Sequence, residues 1–363
     1  MFEISLRKPD GRQLTLYSRR PIPADLVAPS PSATAAPVNP HFRWQPLRGE
    51  WVAYAGHRQA RTFLPPPDYN PLRASNDPAA GTELPAGDYD IAVFDNLFPA
   101  MSMSAHDAPA SIVPSSPGTG HCEVVVFTQD AQSSLGALAR DHIELLLEVW
   151  GSRTREMRKR GLHYVLPFEN RGQEVGVTLH HPHGQIYAYP FVPPVPERMH
   201  QREREHFAAN GRAMLATLIE AECEAGTRIL FKSDHAVAFV PAWARYPYEV
   251  WVAPRATAPD FESLSPVQRT DLARALKTTL LKYDGLWGRS FPYIMAWYQA
   301  PLVGATPGAH HLHAELLPAY RMPGRLKYLA GTEIAAGMFT NDTLPEEKAR
   351  ELQAVEVSIE EDR

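Results

Sequence analysis

A chain of 363 residues with 44% hydrophobic and 21% charged content can bury a sizeable core, as two domains or as one large fold of two similar halves. Its 36 Lys and Arg against 41 Asp and Glu leave a formal net charge of -5, which excludes the global basic field expected of a nucleic-acid or anionic-membrane partner. Cys122 and Cys223 form neither a C-x-x-C pair nor a disulfide framework, and no run of about 18 apolar residues occurs, so a cytoplasmic protein without a membrane span is expected.

Residues 3–18 alternate around the turn signal Pro9-Asp10-Gly11 and read as a hairpin. Residues 28–40, rich in Pro, Ser and Ala, read as an extended linker. Phe42 to Tyr54 holds two short aromatic-rich strands about a turn at Pro46 to Gly49, and Arg58 and Arg61 follow as a candidate phosphate clamp or a solvated pair. Residues 64–87 read as a long loop, Ile91 to Phe94 as a strand, and Glu123 to Phe127 as a buried strand. A long helix is then predicted, capped by Ser133 or Ser134, with Leu135, Leu138, Ile143, Leu146, Leu147 and Trp150 inward and Gly161 at its end.

The next strands lead to Val177 to Pro190, the densest chemical signal in the chain. Strand alternation places His181, His183, Gln185 and Tyr187 on one face and Pro182, Gly184, Ile186 and Ala188 on the other. Imidazole is largely neutral and nucleophilic near pH 7, a carboxamide can donate to a phosphoryl oxygen, and Gly184 removes a side chain from a ligand's approach. That face suits attack on phosphorus; an alternating His-x-His also suits a metal pair.

Glu197 to Ala225 reads as a charged helix interrupted at Asn210-Gly211. The order then repeats: a strand at Glu249 to Ala253, a helix from Ser265-Pro266 closing near Gly285, a strand at Phe291 to Trp297, and His311-Leu312-His313-Ala314-Glu315. Strand start to second histidine spans 60 positions in the first copy (Glu123 to His183) and 64 in the second (Glu249 to His313), which indicates a duplicated unit. A last helix is expected with Thr343 as cap and Pro345 in its first turn.

With His181-Pro182-His183-Gly184-Gln185 and the duplicated organisation in place, the chain from about His41 onward resembles the galactose-1-phosphate uridylyltransferases of the histidine-triad superfamily. The resemblance implies an α+β fold of two tandem histidine-triad-like units, each an antiparallel sheet with a long helix, in one pseudo-symmetric fold. Residues 1–40 would be the hairpin and linker, 41–195 the unit with the catalytic motif, and 196–363 the second unit. It further implies that His183 attacks the α-phosphorus of UDP-glucose, releasing glucose 1-phosphate, and that galactose 1-phosphate then takes the uridylyl group. The carbonyl of His181 would orient the His183 ring, and Gln185 would stabilise charge on the phosphoryl oxygens.

By the same resemblance Arg58 and Arg61 contact phosphate, Phe94 and Asn96 lie near the uridine, Asn170 and Thr178 lie near the phosphates, and Gly184 belongs to the motif. Lys327, Tyr328 and Glu333 match a segment that reaches the sugar across a subunit interface, so a homodimer acting on a UDP-sugar and a hexose 1-phosphate is implied.

Several family positions differ. Of a zinc set only His181 remains, since the loop at Asn70-Pro71-Leu72-Arg73 has no cysteine and a further histidine is Ala131. Of a second metal set His313 stands, Glu315 replaces a histidine, and Met199 and Tyr298 occupy the other positions, with His310, His311 or Glu197 as candidate substitutes. No cofactor is expected for the chemistry; a structural zinc or iron is possible but not favoured, with His313 and Glu315 as the remnant of such a site. Leu97 stands for a nucleotide-contacting Asp and Phe339 for a sugar-contacting Gln. The rival readings are a sugar-nucleotide phosphorylase of the same superfamily, a catalytically silent nucleotide-binding protein, and a His-x-His metal enzyme.

Overall fold

Runs of β-branched and aromatic residues alternate with two long amphipathic stretches, so strands must line up edge to edge and offer a face to helices. The structure, a computed structural model, describes residues 1–34, 37–60 and 69–359. The first half contains β1 (Phe2–Arg7), β2 (Gln13–Ser18), β3 (His41–Gln45), β4 (Glu50–Tyr54), β5 (Ile91–Asp95), β6 (Ser115–Pro117), β7 (His121–Val126), α1 (Arg140–Lys159), β8 (Tyr164–Arg171) and β9 (His183–Tyr189). The second contains α2 (Pro194–Asn210), α3 (Met214–Ala225), β10 (Ile229–Lys232), β11 (Ala236–Phe239), β12 (Val250–Pro254), α4 (Pro266–Leu286), β13 (Tyr293–Tyr298), β14 (His313–Pro318), β15 (Tyr320–Met322), β16 (Arg325–Leu326) and α5 (Pro345–Gln353).

Eleven strands form one antiparallel sheet in the order β1-β2-β5-β7-β9-β8-β13-β14-β12-β11-β10. Read outward from the β8–β13 seam, each strand meets its counterpart: β9 with β14, β7 with β12, β5 with β11. Register repeats as well. Gln185 sits between Phe168 and Val124, Glu315 sits between Ala296 and Trp251, and Phe168 pairs with Ala296 across the seam. The duplication inferred from spacing is therefore a structural one.

Helices α1 and α4 pack on each other and on one face of the sheet. Ile143, Leu146, Leu147 and Trp150 of α1 and Leu272, Leu276 and Leu280 of α4 are buried with Ile186, Ala188, Ala314 and Leu316 from the strands. Each such side chain contributes roughly 1.5–3 kcal/mol of burial. Trp150 reaches across the seam to Trp297, ring centroids 5.7 Å apart. On the opposite face α3 buries Leu215 and Ile219 against Val237, Phe239 and Ala253.

Two expected caps are corrected. Helix α1 begins at Arg140, and Ser134 makes no side-chain cap bond to the short 3-10 turn Leu135–Ala137. Leu138 is extended (ψ 151°), and Lys277 Nζ of α4 bonds the carbonyls of Gly136 and Leu138, so this stretch is fixed as a turn by a distant residue. Helix α5 has Leu344 at its N-cap, because the Thr343 hydroxyl donates to Asn341 Oδ1 at 2.9 Å instead. The other punctuation stands: Gly161 at φ +76° ends α1, Gly211 at φ +69° separates α2 from α3, and α4 opens on a complete capping box between Ser265 and Gln268.

The N-terminal hairpin adds to the sheet through β2–β5 pairing. It is held by buried Lys8, whose Nζ lies 2.7 Å from Glu83 Oε2, and by Arg12, 2.9 Å from the same oxygen. Among the described residues no helix is long and apolar enough to cross a membrane. Replacing Ser265 by Ala is expected to lower stability by about 1 kcal/mol in denaturant unfolding, whereas Ser134→Ala should change it by less than about 0.5 kcal/mol. Equal effects would contradict the capping assignment.

Candidate active site

Strand β9 opens at His183, which pairs with Val126 of β7, and burial alternates from there to Tyr189. His181 is thus not on the strand face expected for it. It lies in the bend before β9, where Phe127 N–H donates to Pro182 O at 3.1 Å, and it is buried, lining with His183 an adjoining cleft and not the one that Gln185 lines.

That bend aims a carbonyl. His183 Nδ1–H donates to His181 O at 2.7 Å, which leaves the lone pair on Nε2. The His181 ring is fixed in turn: Nε2–H donates to Thr128 O at 2.7 Å, and Nδ1 accepts from Asn70 Nδ2 at 3.0 Å. Asn70 is itself oriented by accepting Leu72 N–H on Oδ1 at 3.0 Å. Burial lowers the pKa of both histidines below the usual 6.5, outweighing the backbone bonds that would raise it, so both rings are neutral at pH 7.

His183 and Gln185 line a solvent-open cleft of about 820 Å³ with Arg58, Phe94, Asn96 and Thr178. Asn96 Nδ2 lies 3.4 Å from Gln185 Oε1, which leaves the Gln185 amino group for a ligand. Arg58 uses Nη1 on Phe98 O, and its remaining guanidinium donors are not engaged by that bond. Phe94 backs the cleft, with Lys8 Nζ 4.9 Å from its ring centroid on the hairpin side. Asn170 lines an adjoining cleft that shares Leu179 and His183.

Other expected positions fall elsewhere. Arg61 lies outside the described residues. A Cβ on Gly184 would come within 2.7 Å of Phe168 O and 2.8 Å of Phe127 Cζ, so glycine here serves strand packing, away from the ligand side. Lys327, Tyr328 and Glu333 do not line the cleft of their own chain. Lys327 Nζ lies 3.0 Å from Glu333 Oε1, and this bond, with backbone N–H donors, holds the carboxyl at about 2. Tyr328 is 74% exposed. Phe339 packs against Arg245 and Tyr246, with the Arg245 guanidinium 5.3 Å from its ring.

Neither metal set of the resemblance fits these residues. Both His181 nitrogens are engaged, by Asn70 and by Thr128. At the second set, Arg245 forms an ion pair with Glu315, and the His313 ring is sandwiched by Trp251 and Tyr298.

Asn70 and Thr128 are the functional neighbours that sequence reasoning missed. Pro31, Val124 and Leu179 also line the cleft without any sequence signal.

A mirrored pair of such units, with one imidazole held in a single tautomer at a cleft, defines a duplicated α+β protein with one candidate nucleophile. The family model for the galactose-1-phosphate uridyl transferase N-terminal domain matches residues 31–193, and that for the C-terminal domain matches residues 198–362. Galactose-1-phosphate uridylyltransferase of Thermotoga maritima is 35% identical over 326 residues, 88% of this chain and 99% of that protein. The Streptomyces lividans protein of the same name is 35% identical over 331 residues, 88% of each chain. A solved uridylyltransferase structure superposes with a TM-score of 0.77 at 31% identity, over 87% of this chain and 98% of that one. The chain belongs to the galactose-1-phosphate uridylyltransferase family.

Replacing Asn70 by Asp turns a donor to His181 Nδ1 into an anion, which should stabilise the imidazolium. Histidine ¹⁵N shifts are expected to show His181 titrating at higher pH than in the wild type; an unchanged midpoint would remove Asn70 from the relay. Gly184→Ala should destabilise the fold by about 1–3 kcal/mol through overpacking against Phe127 and Phe168.

Proposed function

We propose that this protein transfers UMP between UDP-glucose and galactose 1-phosphate by two displacements at phosphorus, with His183 as the nucleophile. The reading rests on one observation above all: the 2.7 Å bond from His183 Nδ1 to His181 O, which presents a neutral Nε2 to the cleft. In the first step Nε2 forms a bond to the α-phosphorus of UDP-glucose while the bond to the bridging oxygen breaks, and that electron pair leaves with glucose 1-phosphate. In the second, a phosphate oxygen of galactose 1-phosphate attacks the same phosphorus, the P–N bond breaks, and UDP-galactose leaves with neutral His183 restored.

The imidazole becomes cationic while it carries the uridylyl group, and the His181 carbonyl dipole stabilises that charge through Nδ1–H. The Gln185 amino group and Arg58 are the donors assigned to the phosphoryl oxygens. Phe94 offers an apolar wall to the base, Asn96 orients Gln185 and contacts the nucleoside, and Thr178 and Asn170 serve the phosphates. No step is assigned to a metal, because the transfer uses an imidazole lone pair and fixed hydrogen-bond donors.

The protein is further proposed to be a cytoplasmic homodimer. Tyr328, Leu329, Ile334 and Met338 present exposed apolar side chains along the segment that holds Lys327 and Glu333. Burial of that segment against a second copy would bring it to the partner's cleft, where the sugar is expected.

Intact mass spectrometry after adding UDP-glucose alone should show the mass of UMP added to the wild type and none added to His183→Ala. Absence of the adduct in wild-type protein that binds UDP-glucose would sink the mechanism. Galactose 1-phosphate should discharge the adduct; discharge by inorganic phosphate alone would make the protein a phosphorylase instead. Gln185→Ala is expected to slow adduct formation by about 10²–10³-fold. Since burial lowers the His183 pKa, the adduct-forming rate should stay level from pH 8 down to about 6.5 and fall only below it, where the ring protonates.

A further inference from the structure

Three ligating side chains meet on the second unit, away from the cleft. His200 and Glu203 lie one turn apart on α2, so the helix presents both on one face, and His310 comes from the loop that leads into β14. Each offers a ligand atom, and these atoms lie within 4.8 Å of one another. All three residues are buried, at 3%, 8% and 2% relative exposure.

The hydrogen bonds around the cluster leave one lone pair unmatched. His200 Nε2–H donates to Gln299 O at 3.2 Å, so Nδ1 is the unprotonated nitrogen, and that atom is buried with no hydrogen-bond partner. His310 Nδ1–H donates to Glu203 Oε2 at 2.8 Å, and Thr306 N–H donates to His310 Nε2 at 3.2 Å. The two imidazoles stand edge to face, 4.8 Å between centroids. A buried acceptor without a donor is unfavourable and calls for an explanation.

We propose that His200, Glu203 and His310 form a binding site for one divalent transition-metal cation, of which zinc is the best match. Two imidazoles and one carboxylate suit zinc or ferrous iron, whereas magnesium and calcium favour all-oxygen sets. Loading requires the His310 ring proton to pass from Nδ1 to Nε2, with no net proton released. The Thr306–His310 bond is given up, and the turn adjusts between Gly304 and Gly308, both at positive φ.

The site differs from the family set corresponding to Met199, Tyr298, His313 and Glu315, and none of its ligands lines the His183 cleft. Its role is to fasten α2 to the β13–β14 end of the sheet. The other His-carboxylate group among the described residues, Asp95, His121 and Glu123, does not compete on equal terms. Arg153 pairs with Glu123, and Arg160 Nη1 lies 3.2 Å from the His121 ring nitrogens, so two cations already face it.

The test uses the full-length protein, stripped with a chelator, dialysed against zinc and freed of excess. Expected are one equivalent of zinc per chain by elemental analysis and a higher melting temperature than the stripped form. Both should be lost in His200→Ala and Glu203→Gln and kept in His121→Ala. Glu203→Gln retains an acceptor for His310 Nδ1–H and so preserves metal-free packing, which circular dichroism of the stripped variant would verify. The proposal is overturned if folded wild-type protein takes up no stoichiometric zinc. It is equally overturned if both ligand variants keep the zinc, or if only His121→Ala loses it.

Discussion

The hydrogen bond from His183 Nδ1 to the carbonyl of His181 is the constraint on which the site depends, because it decides which nitrogen is free. It requires a bend at His181-Pro182 so that a main-chain carbonyl turns back over the first residue of β9. The bend is held in turn by the His181 ring, pinned between Asn70 and Thr128. Two neutral rings, each with one donor and one acceptor nitrogen, thus fix each other's geometry without a net charge. A buried relay of this kind is specific because each nitrogen is satisfied except His183 Nε2, which is left to the cleft.

The relay holds the bend by hydrogen bonds alone. A metal ligated by His181 would hold the bend through one strong contact. Here two bonds to residues on separate loops do so, and the neighbouring cleft gains no fixed positive charge from them. In the second unit the corresponding strand also starts at a histidine whose Nδ1 bonds a carbonyl two residues back, His313 to His311 O at 3.0 Å. Its ring is stacked between Trp251 and Tyr298, and the neighbouring Glu315 is paired with Arg245. The same backbone device therefore persists where the histidine is buried between two aromatic rings.

Much of the fold was legible because it rests on local pattern. The apolar stripes of α1 and α4, the Ser265-Pro266 start and the alternation in β9 all follow from neighbours within a few positions. The motif and the repeat spacing singled out His183 as the candidate nucleophile. What escaped notice depends on distant partners. Asn70 meets His181 across 111 positions and Thr128 across 53, so neither carries a local signal. Ser134 has the composition of a cap, yet Lys277 fixes the preceding turn from 139 positions beyond Leu138. Gly184 was read as an opening toward a ligand, whereas its missing side chain leaves room for Phe127 and Phe168 behind the strand.

The seam between β8 and β13 has a consequence for how the halves exist. Each strand is interior only because the other half covers it; separating the units would leave two open edges at the centre of the sheet and part Trp150 from Trp297. The second unit therefore acts as the permanent edge cover for the strand next to β9. Cooperative unfolding of the two halves together is built into that pairing, and the strand that carries His183 inherits its rigidity from the neighbouring unit.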